Sequence, residues 1–237
     1  MKKIQEFFNK SNIIFVILIG MLLLSSGIFF SSKMNSLKET INIKDAKNEM
    51  ILQRLDAGIT HQSKMQTYIL KSRDLILKEC KSVKISITPG EAFKIAESNL
   101  YYANKYGLDP VFKLAQQRRE SAFNRKAVSS AGALGLNQIM PFTGKWLCEI
   151  LGWEYNESML YDIDKSNELS SLLLQRLISH YDGNLELVLA AYNGGGKQAS
   201  YYRQKNKRLA QETKEYIPIV LDIYKRYKVA VGAYING

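Results

Sequence analysis

Glu120 is the residue whose surroundings in the sequence most resemble a reaction centre. It ends an apolar-and-basic helical stretch, is followed by Ser121-Ala122-Phe123-Asn124, and is the last carboxylate before Glu149. The gap holds Ala127-Val128-Ser129-Ser130-Ala131-Gly132-Ala133-Leu134-Gly135-Leu136-Asn137-Gln138-Ile139-Met140-Pro141. A segment so rich in small residues lets backbone come close to something extended. One carboxylate facing it among apolar neighbours could have its pKa raised and act as a general acid. Taken alone, a glutamate at a helix end reads better as a surface charge, and small residues also serve helix packing. Metal chemistry has little to work with: there are 2 histidines, His61 and His180, and 2 cysteines, Cys80 and Cys148. Neither a zinc site nor a Cys-rich scaffold can be built from them, and no cofactor is expected.

The elements that must position Glu120 are legible as helices. Thr88-Pro89-Gly90-Glu91 places Thr at an N-cap, Pro at the first helical position and Glu at the third. Those are the parts of a capping box, with φ set in advance. The helix should run to Tyr106 and stop at Gly107. Asp109-Pro110 repeats the start signal for a helix from Val111 to about Glu120. Helical patterns recur at 141–151, 165–181, 185–193 and 213–228, and no segment shows a period-2 strand. The expected fold is mainly α, with a core built from residue 88 onward.

Further back, the chain carries 33 Lys+Arg against 22 Asp+Glu, a formal charge of +11 concentrated in the first third. An anionic partner follows: nucleic acid, lipid headgroups or cell-wall polymer. Ile13 to Phe30 runs without a charge, behind Lys2, Lys3 and Lys10. As a helix it would span roughly 27 Å, close to the hydrocarbon thickness of a bilayer. Positive charge before it favours a cytoplasmic N-terminus with the remainder exported. The run is long for a signal peptide and lacks a good small-x-small cleavage site, so an uncleaved anchor is preferred. A protein with its bulk outside the cytoplasm has no nucleic-acid partner. The proline-free stretch that follows, with Ile51, Leu52, Leu55 and Ile59 at helical spacing and a break near Gly58 and Thr60, reads as a stalk of one or two helices. The expected division is a cytoplasmic tail 1–11, a transmembrane anchor 12–31, a stalk 32–87, a globular domain 88–230 and a tail 231–237. A Cys80–Cys148 disulfide is permitted in an oxidising compartment, and two free buried thiols are an equal reading.

Residues 88–228 resemble the lytic transglycosylase catalytic domain of the soluble-transglycosylase type, in the lysozyme-like (goose-type) superfamily. Tyr106-Gly107-Leu108-Asp109-Pro110 is similar to the family's entry to the catalytic helix, and Glu120-Ser121 to its Glu-Ser pair. Ala127-Val128-Ser129, Gly132-Ala133, Gly135-Leu136-Asn137-Gln138 and Met140-Pro141 follow its second motif. Leu160-Tyr161-Asp162, Ala190-Ala191-Tyr192-Asn193-Gly194-Gly195-Gly196 and Glu212-Thr213 with Tyr216-Ile217 match the rest. The resemblance implies cleavage of the β-1,4 bond between N-acetylmuramic acid and N-acetylglucosamine in peptidoglycan, leaving a 1,6-anhydromuramyl end. Glu120 is then the acid, later the base. Ser129 would bond near Glu120 or the acetamido group, and Gln138 with the backbone around Gly135 and Leu136 would hold a sugar. Tyr192 would orient the acetamido group or Glu120, Asn193 would shape its loop, and Glu212 and Tyr216 would anchor the cleft wall. Three departures stand out: Asn137 where Met is usual, Gly194 where Ala is usual, and Arg118-Arg119 beside the acid. Since two cations in the cleft would depress the acid's pKa, at least one should point away.

The resemblance further implies a protein of the bacterial inner membrane with its catalytic domain periplasmic, working near a secretion or conjugation machine. Two other readings of the same fold are a goose-type hydrolase of the same bond and a non-catalytic peptidoglycan-binding scaffold.

Overall fold

A computed structural model describes residues 46–232. The expected cytoplasmic tail, the membrane anchor 12–31, the first part of the stalk and most of the last tail lie outside the described residues. Among the described residues no helix is long and apolar enough to cross a membrane.

Among the described residues seven α-helices follow in order: α1 Ala46–Ser82, α2 Pro89–Lys105, α3 Pro110–Ser121, α4 Pro141–Leu151, α5 Ile163–His180, α6 Leu185–Arg203 and α7 Gln211–Val231. A short 3-10 helix, Glu157–Leu160, precedes α5. Among the described residues β-structure is limited to the isolated bridges Val128–Leu134 and Leu134–Ile139. The chain divides into two compact units between Thr67 and Tyr68.

In the first unit the described residues belong to α1, which continues through Gly58 and Thr60 without the expected break. Ile51, Leu52, Leu55 and Ile59 are each half-buried.

The second unit begins at Tyr68, ahead of the domain start expected at residue 88. Tyr68, Ser72, Ile76 and Cys80 recur every fourth residue on one face of α1, and all four are buried. That stripe belongs to the domain core, because i, i+4 spacing stacks side chains on one helix face. Cys80 donates to the Ala122 carbonyl at 3.5 Å, and both cysteines are free and buried, so the permitted disulfide does not form.

The helix starts follow the local chemistry. The Thr88 side chain accepts the Glu91 N–H at 3.1 Å, which caps α2. Glu91 does not complete the capping box. Its Oε1 takes the Arg125 Nε at 2.8 Å, tying α2 to the loop after α3. Asp109 caps α3, accepting from Val111 N at 2.8 Å and Phe112 N at 3.4 Å. Gly107, at φ +65°, reverses the chain between the two helices.

Helix α3 lies between α2 and α7, and from Pro110 to Gln117 every residue is buried. A helix enclosed all round carries no polar face to meet water. A separate apolar cluster, with Leu134, Leu147, Cys148, Leu160 and Leu169 among its members, fastens α4 and the 3-10 helix to α5.

Candidate active site

Glu120 occupies the last turn of α3, and after Ser121 come Ala122 and Phe123 with φ of 50° and 66°. Two consecutive non-glycine residues in the left-handed region turn the chain sharply out of the helix. The Tyr216 hydroxyl, from α7, donates to Glu120 Oε1. Burial pushes the Glu120 carboxyl up to about 7, against the lowering by the Tyr216 hydrogen bond and the Arg119 charge, with Glu212 raising it further. The carbonyl end of α3 acts in the same direction as burial, since a helix C-terminus disfavours an anion. The side chain keeps partial exposure, as an acid that meets a substrate must.

The two arginines divide as their chemistry requires. Arg118 points away, with its Nε 2.6 Å from Glu79 Oε2 on α1. Arg119 lies over the Tyr216 ring at 5.5 Å from its centroid and is the cation that acts on Glu120.

The acid-free loop is folded onto itself before it can contact anything else. The Ser129 N–H donates to the Ala133 carbonyl at 2.9 Å, its own carbonyl accepts the Gly132 N–H at 3.0 Å, and its Oγ accepts the Ala133 N–H at 2.9 Å. Gln138 stands at φ 47°, and its Nε2 donates to Gly135 O at 2.9 Å and Ala127 O at 3.3 Å. Gly135 has φ +74°, and a Cβ there would lie 1.8 Å from the Leu160 carbonyl oxygen. Glycine is demanded here by the neighbouring backbone, where the sequence suggested a sugar. Leu136 is wholly buried, and its carbonyl accepts the Ser121 hydroxyl at 2.8 Å. Its side chain therefore packs in the core.

Asn137 also faces inward. It is 1% exposed, and its amide bonds Ser166 Oγ at 2.9 Å while its oxygen accepts from Gln117 Nε2 at 3.0 Å. The departure from Met at this position thus changes the core beneath the loop. The Asn137 carbonyl accepts the Tyr192 hydroxyl at 2.9 Å. Tyr192 in turn lies close enough to Glu120 for the carboxylate to hold its phenol above the usual range, after burial.

The opposite wall comes from α6 and α7. Asn193 Nδ2 donates to Glu212 Oε1 at 3.3 Å, and the Thr213 hydroxyl donates to Asn193 Oδ1 at 2.7 Å. A Cβ at Gly194 would meet Gln198 Cγ at 2.4 Å and Thr213 Oγ1 at 2.9 Å. Glycine in place of the usual alanine is therefore a close-packing choice, and the true kink in α6 falls one residue later, at Gly195 with φ 77°.

The structure thus brings Glu120, Tyr192, Tyr216 and Glu212 into one electrostatic neighbourhood, with Asn193 bound to Glu212. Ser129 and Gln138 shape the loop, and Gly135 and Leu136 fasten it. Sequence reasoning gave no role to Ser121, Thr213 or Gln117. Ser121 and Thr213 stood inside quoted motifs, and Gln117 carried no signal. Tyr101 and Tyr102 form an edge-to-face pair with centroids 4.9 Å apart, Tyr101 being exposed.

The Membrane-bound lytic murein transglycosylase D of Escherichia coli (strain K12) is 35% identical over 123 residues, 46% of this chain and 27% of that protein. Membrane-bound lytic murein transglycosylase C of Sodalis glossinidius is 31% identical over 140 residues, 53% of this chain and 39% of that protein. The matches therefore span well under half the length of these curated relatives. Among solved structures, the 70 kDa soluble lytic transglycosylase of Escherichia coli superposes with a TM-score of 0.55 at 19% identity, covering 78% of this chain and 35% of that chain. An inactive mutant of the lytic transglycosylase Slt from Pseudomonas aeruginosa gives 0.54 at 22% identity, with coverage of 78% and 35%. Likeness at these identities speaks for the fold. The Transglycosylase SLT domain model matches residues 97–217, from the middle of α2 to Ile217 of α7, half of the sequence and both Glu120 and Tyr216. On that match the chain belongs to the Transglycosylase SLT domain family.

Proposed function

We propose that this protein is a peptidoglycan lytic transglycosylase in which Glu120 protonates the glycosidic oxygen between N-acetylmuramic acid and N-acetylglucosamine. The observation that carries the reading is the Glu120 carboxyl itself, held at about 7 by burial at a helix C-terminus and still partly exposed. An acid near neutrality keeps its proton until the leaving oxygen needs it and then accepts one readily. As the C1–O4 bond breaks, the proton passes from Glu120 to the departing N-acetylglucosamine oxygen. The resulting carboxylate takes the proton of the muramyl 6-hydroxyl, O6 bonds to C1, and the anhydro end forms with no water consumed.

Tyr216 holds Glu120 in place, and Tyr192 borders the carboxyl on the side of the loop. Ser129, Gln138 and the backbone at Gly135 and Leu136 form the loop on which the sugar rests, with Asn193 and Glu212 as the facing wall. The sequence from Ile13 to Phe30 would anchor the enzyme in the inner membrane with this domain outside. The names of its relatives, membrane-bound lytic murein transglycosylases D and C, support that reading. Local opening of the wall beside a secretion or conjugation machine is the use such an anchored enzyme would serve.

Hydrolysis is the second reading, favoured by Glu212. That carboxylate lies near enough to raise the proton affinity of Glu120, and a second carboxylate is what water activation requires. Digestion of isolated sacculi decides between them. Muropeptides lighter by one water than their reducing counterparts, and absent with Glu120→Gln, establish the transglycosylase. Reducing ends from the wild type establish the hydrolase, and binding without release leaves the scaffold.

A further inference from the structure

The face of α3 that carries Glu120 continues inward through Gln117 and Lys113, at i−3 and i−7, into a closed polar cluster. Lys113 is 0% exposed. Its Nζ donates to Asn167 Oδ1 at 2.7 Å and, at the limit of a hydrogen bond, to Asn137 Oδ1 at 3.5 Å. Gln117 Nε2 donates to the same two oxygens, at 2.5 Å to Asn167 and 3.0 Å to Asn137. Asn137 Nδ2 reaches Ser166 and Asn167, and Asn167 Nδ2 reaches Ser98 Oγ at 3.0 Å. Side chains from α2, α3, α5 and the acid-free loop therefore meet at one place.

A buried lysine is ordinarily matched by a carboxylate, because an unpaired ammonium in the interior is costly. Here none is in contact. The carboxylates on the surrounding elements are committed elsewhere: Glu168 to Lys105, Asp164 to Lys94, and Asp109 to Tyr224 and Lys228. Burial accordingly holds the Lys113 ammonium well below the usual lysine range. Two amide oxygens also match the two N–H bonds of a neutral amine better than the three of an ammonium. A chain rarely keeps so costly a group where an aliphatic side chain would pack, unless the arrangement it fixes is useful.

What the cluster fixes is the turn Leu136–Asn137. Its two carbonyls face the reaction centre's own residues: Leu136 O accepts from Ser121, the neighbour of Glu120, and Asn137 O accepts from Tyr192. The Asn137 side chain is the inner tether of that turn. We propose that Lys113, with Gln117, is a positioning residue for the catalytic acid, holding Asn137 from inside so that its carbonyl keeps the Tyr192 hydroxyl beside Glu120. Lys113 reaches no substrate, so its effect falls on turnover and on the surroundings of Glu120, while substrate binding is untouched. The inference rests on Glu120 as the acid.

The test is a mutant cycle of Lys113→Met, Asn137→Met and the double variant in the full chain, read by kcat and KM on sacculi and by the 13C titration of the Glu120 carboxyl. Each single variant should lower kcat about tenfold per folded molecule with KM unchanged, and the double should be no worse than the worse single, as expected for groups acting as one unit. With the tether gone, water reaches Glu120, and its midpoint should fall by roughly a unit. The other charged and titratable groups facing Glu120, namely Arg119, Glu212, Tyr192 and Tyr216, remain. A Lys113→Met enzyme with wild-type kcat and an unmoved midpoint overturns the proposal, as does a double variant that loses the product of the two single factors. A merely structural lysine would reduce the folded fraction and leave both readouts alone. If the wild type releases nothing from sacculi, the proposed function fails, and the Glu120 midpoint in Lys113→Met still decides the positioning. If Lys113→Met does not fold, Lys113→Gln enters the same cycle under the same criteria.

Discussion

Two carboxylates stand at opposite ends of α3, and each receives a tyrosine hydroxyl from α7: Asp109 from Tyr224 and Glu120 from Tyr216. The partners are alike, yet the settings are opposed. Asp109 sits at the helix N-terminus, where it takes two backbone N–H bonds and has Lys228 Nζ at 3.7 Å. Every neighbour there welcomes an anion. Glu120 sits at the carbonyl end, largely enclosed by protein, with Glu212 nearby and the Arg119 cation opposing it. The same hydrogen-bonding partner thus completes a cap at one end and tempers a proton-holding acid at the other. The surroundings, more than the paired residue types, separate structure from chemistry.

The comparison can be broken at its reactive end with the largest effect. Glu120→Gln should lower product release by about 10²–10⁴-fold while the fold persists. The raised carboxyl also has a sign for stability. In the folded state it binds its proton up to about 7, so stability falls as pH rises from about 4.5 to 7 and stays lower above that window. The Gln variant lacks that cost. Urea unfolding at pH 8 should therefore show it more stable than the wild type, by on the order of 1–3 kcal/mol, and the gap should vanish at pH 4.

Gly135→Ala attacks the loop that faces Glu120. Positive φ and the Leu160 carbonyl both oppose a methyl group, and the loss should reach on the order of 3–4 kcal/mol in thermal or urea unfolding. Tyr216→Phe sharpens the comparison further. The hydroxyl stabilises the carboxylate form, so its removal should raise the Glu120 midpoint and carry the alkaline limb of the pH–rate profile upward, with turnover down roughly tenfold. The smallest effect belongs to the other end: Asp109→Ala should cost about 1–2 kcal/mol of stability through the lost cap and leave turnover per folded molecule unchanged.

Much of this was legible beforehand, and the reasons are local. Thr88, Pro89, Gly107, Asp109 and Pro110 act within a few residues of themselves, so α2 and α3 start and stop where the sequence indicates. The boundary at Tyr68 was missed because Tyr68, Ser72, Ile76 and Cys80 mix polar with apolar on one stripe, and pattern reading counts Ser72 as an interruption. The inward turn of Asn137 and the burial of Lys113 depend on α5, which supplies Asn167 from far along the chain. No neighbouring residue announces it. Glu120 was found as a residue from the gap that follows it. Its proton affinity comes from enclosure and from Tyr216 and Glu212, which only the fold brings near.

The most direct measurement is the 13C titration of the Glu120 carboxyl in the wild-type protein, assigned by its absence from Glu120→Gln. A midpoint near 7 is the predicted result. A midpoint in the ordinary glutamate range, about 4.3, would mean that the carbonyl end of α3 does not hold a proton for catalysis, and the contrast with Asp109 would collapse.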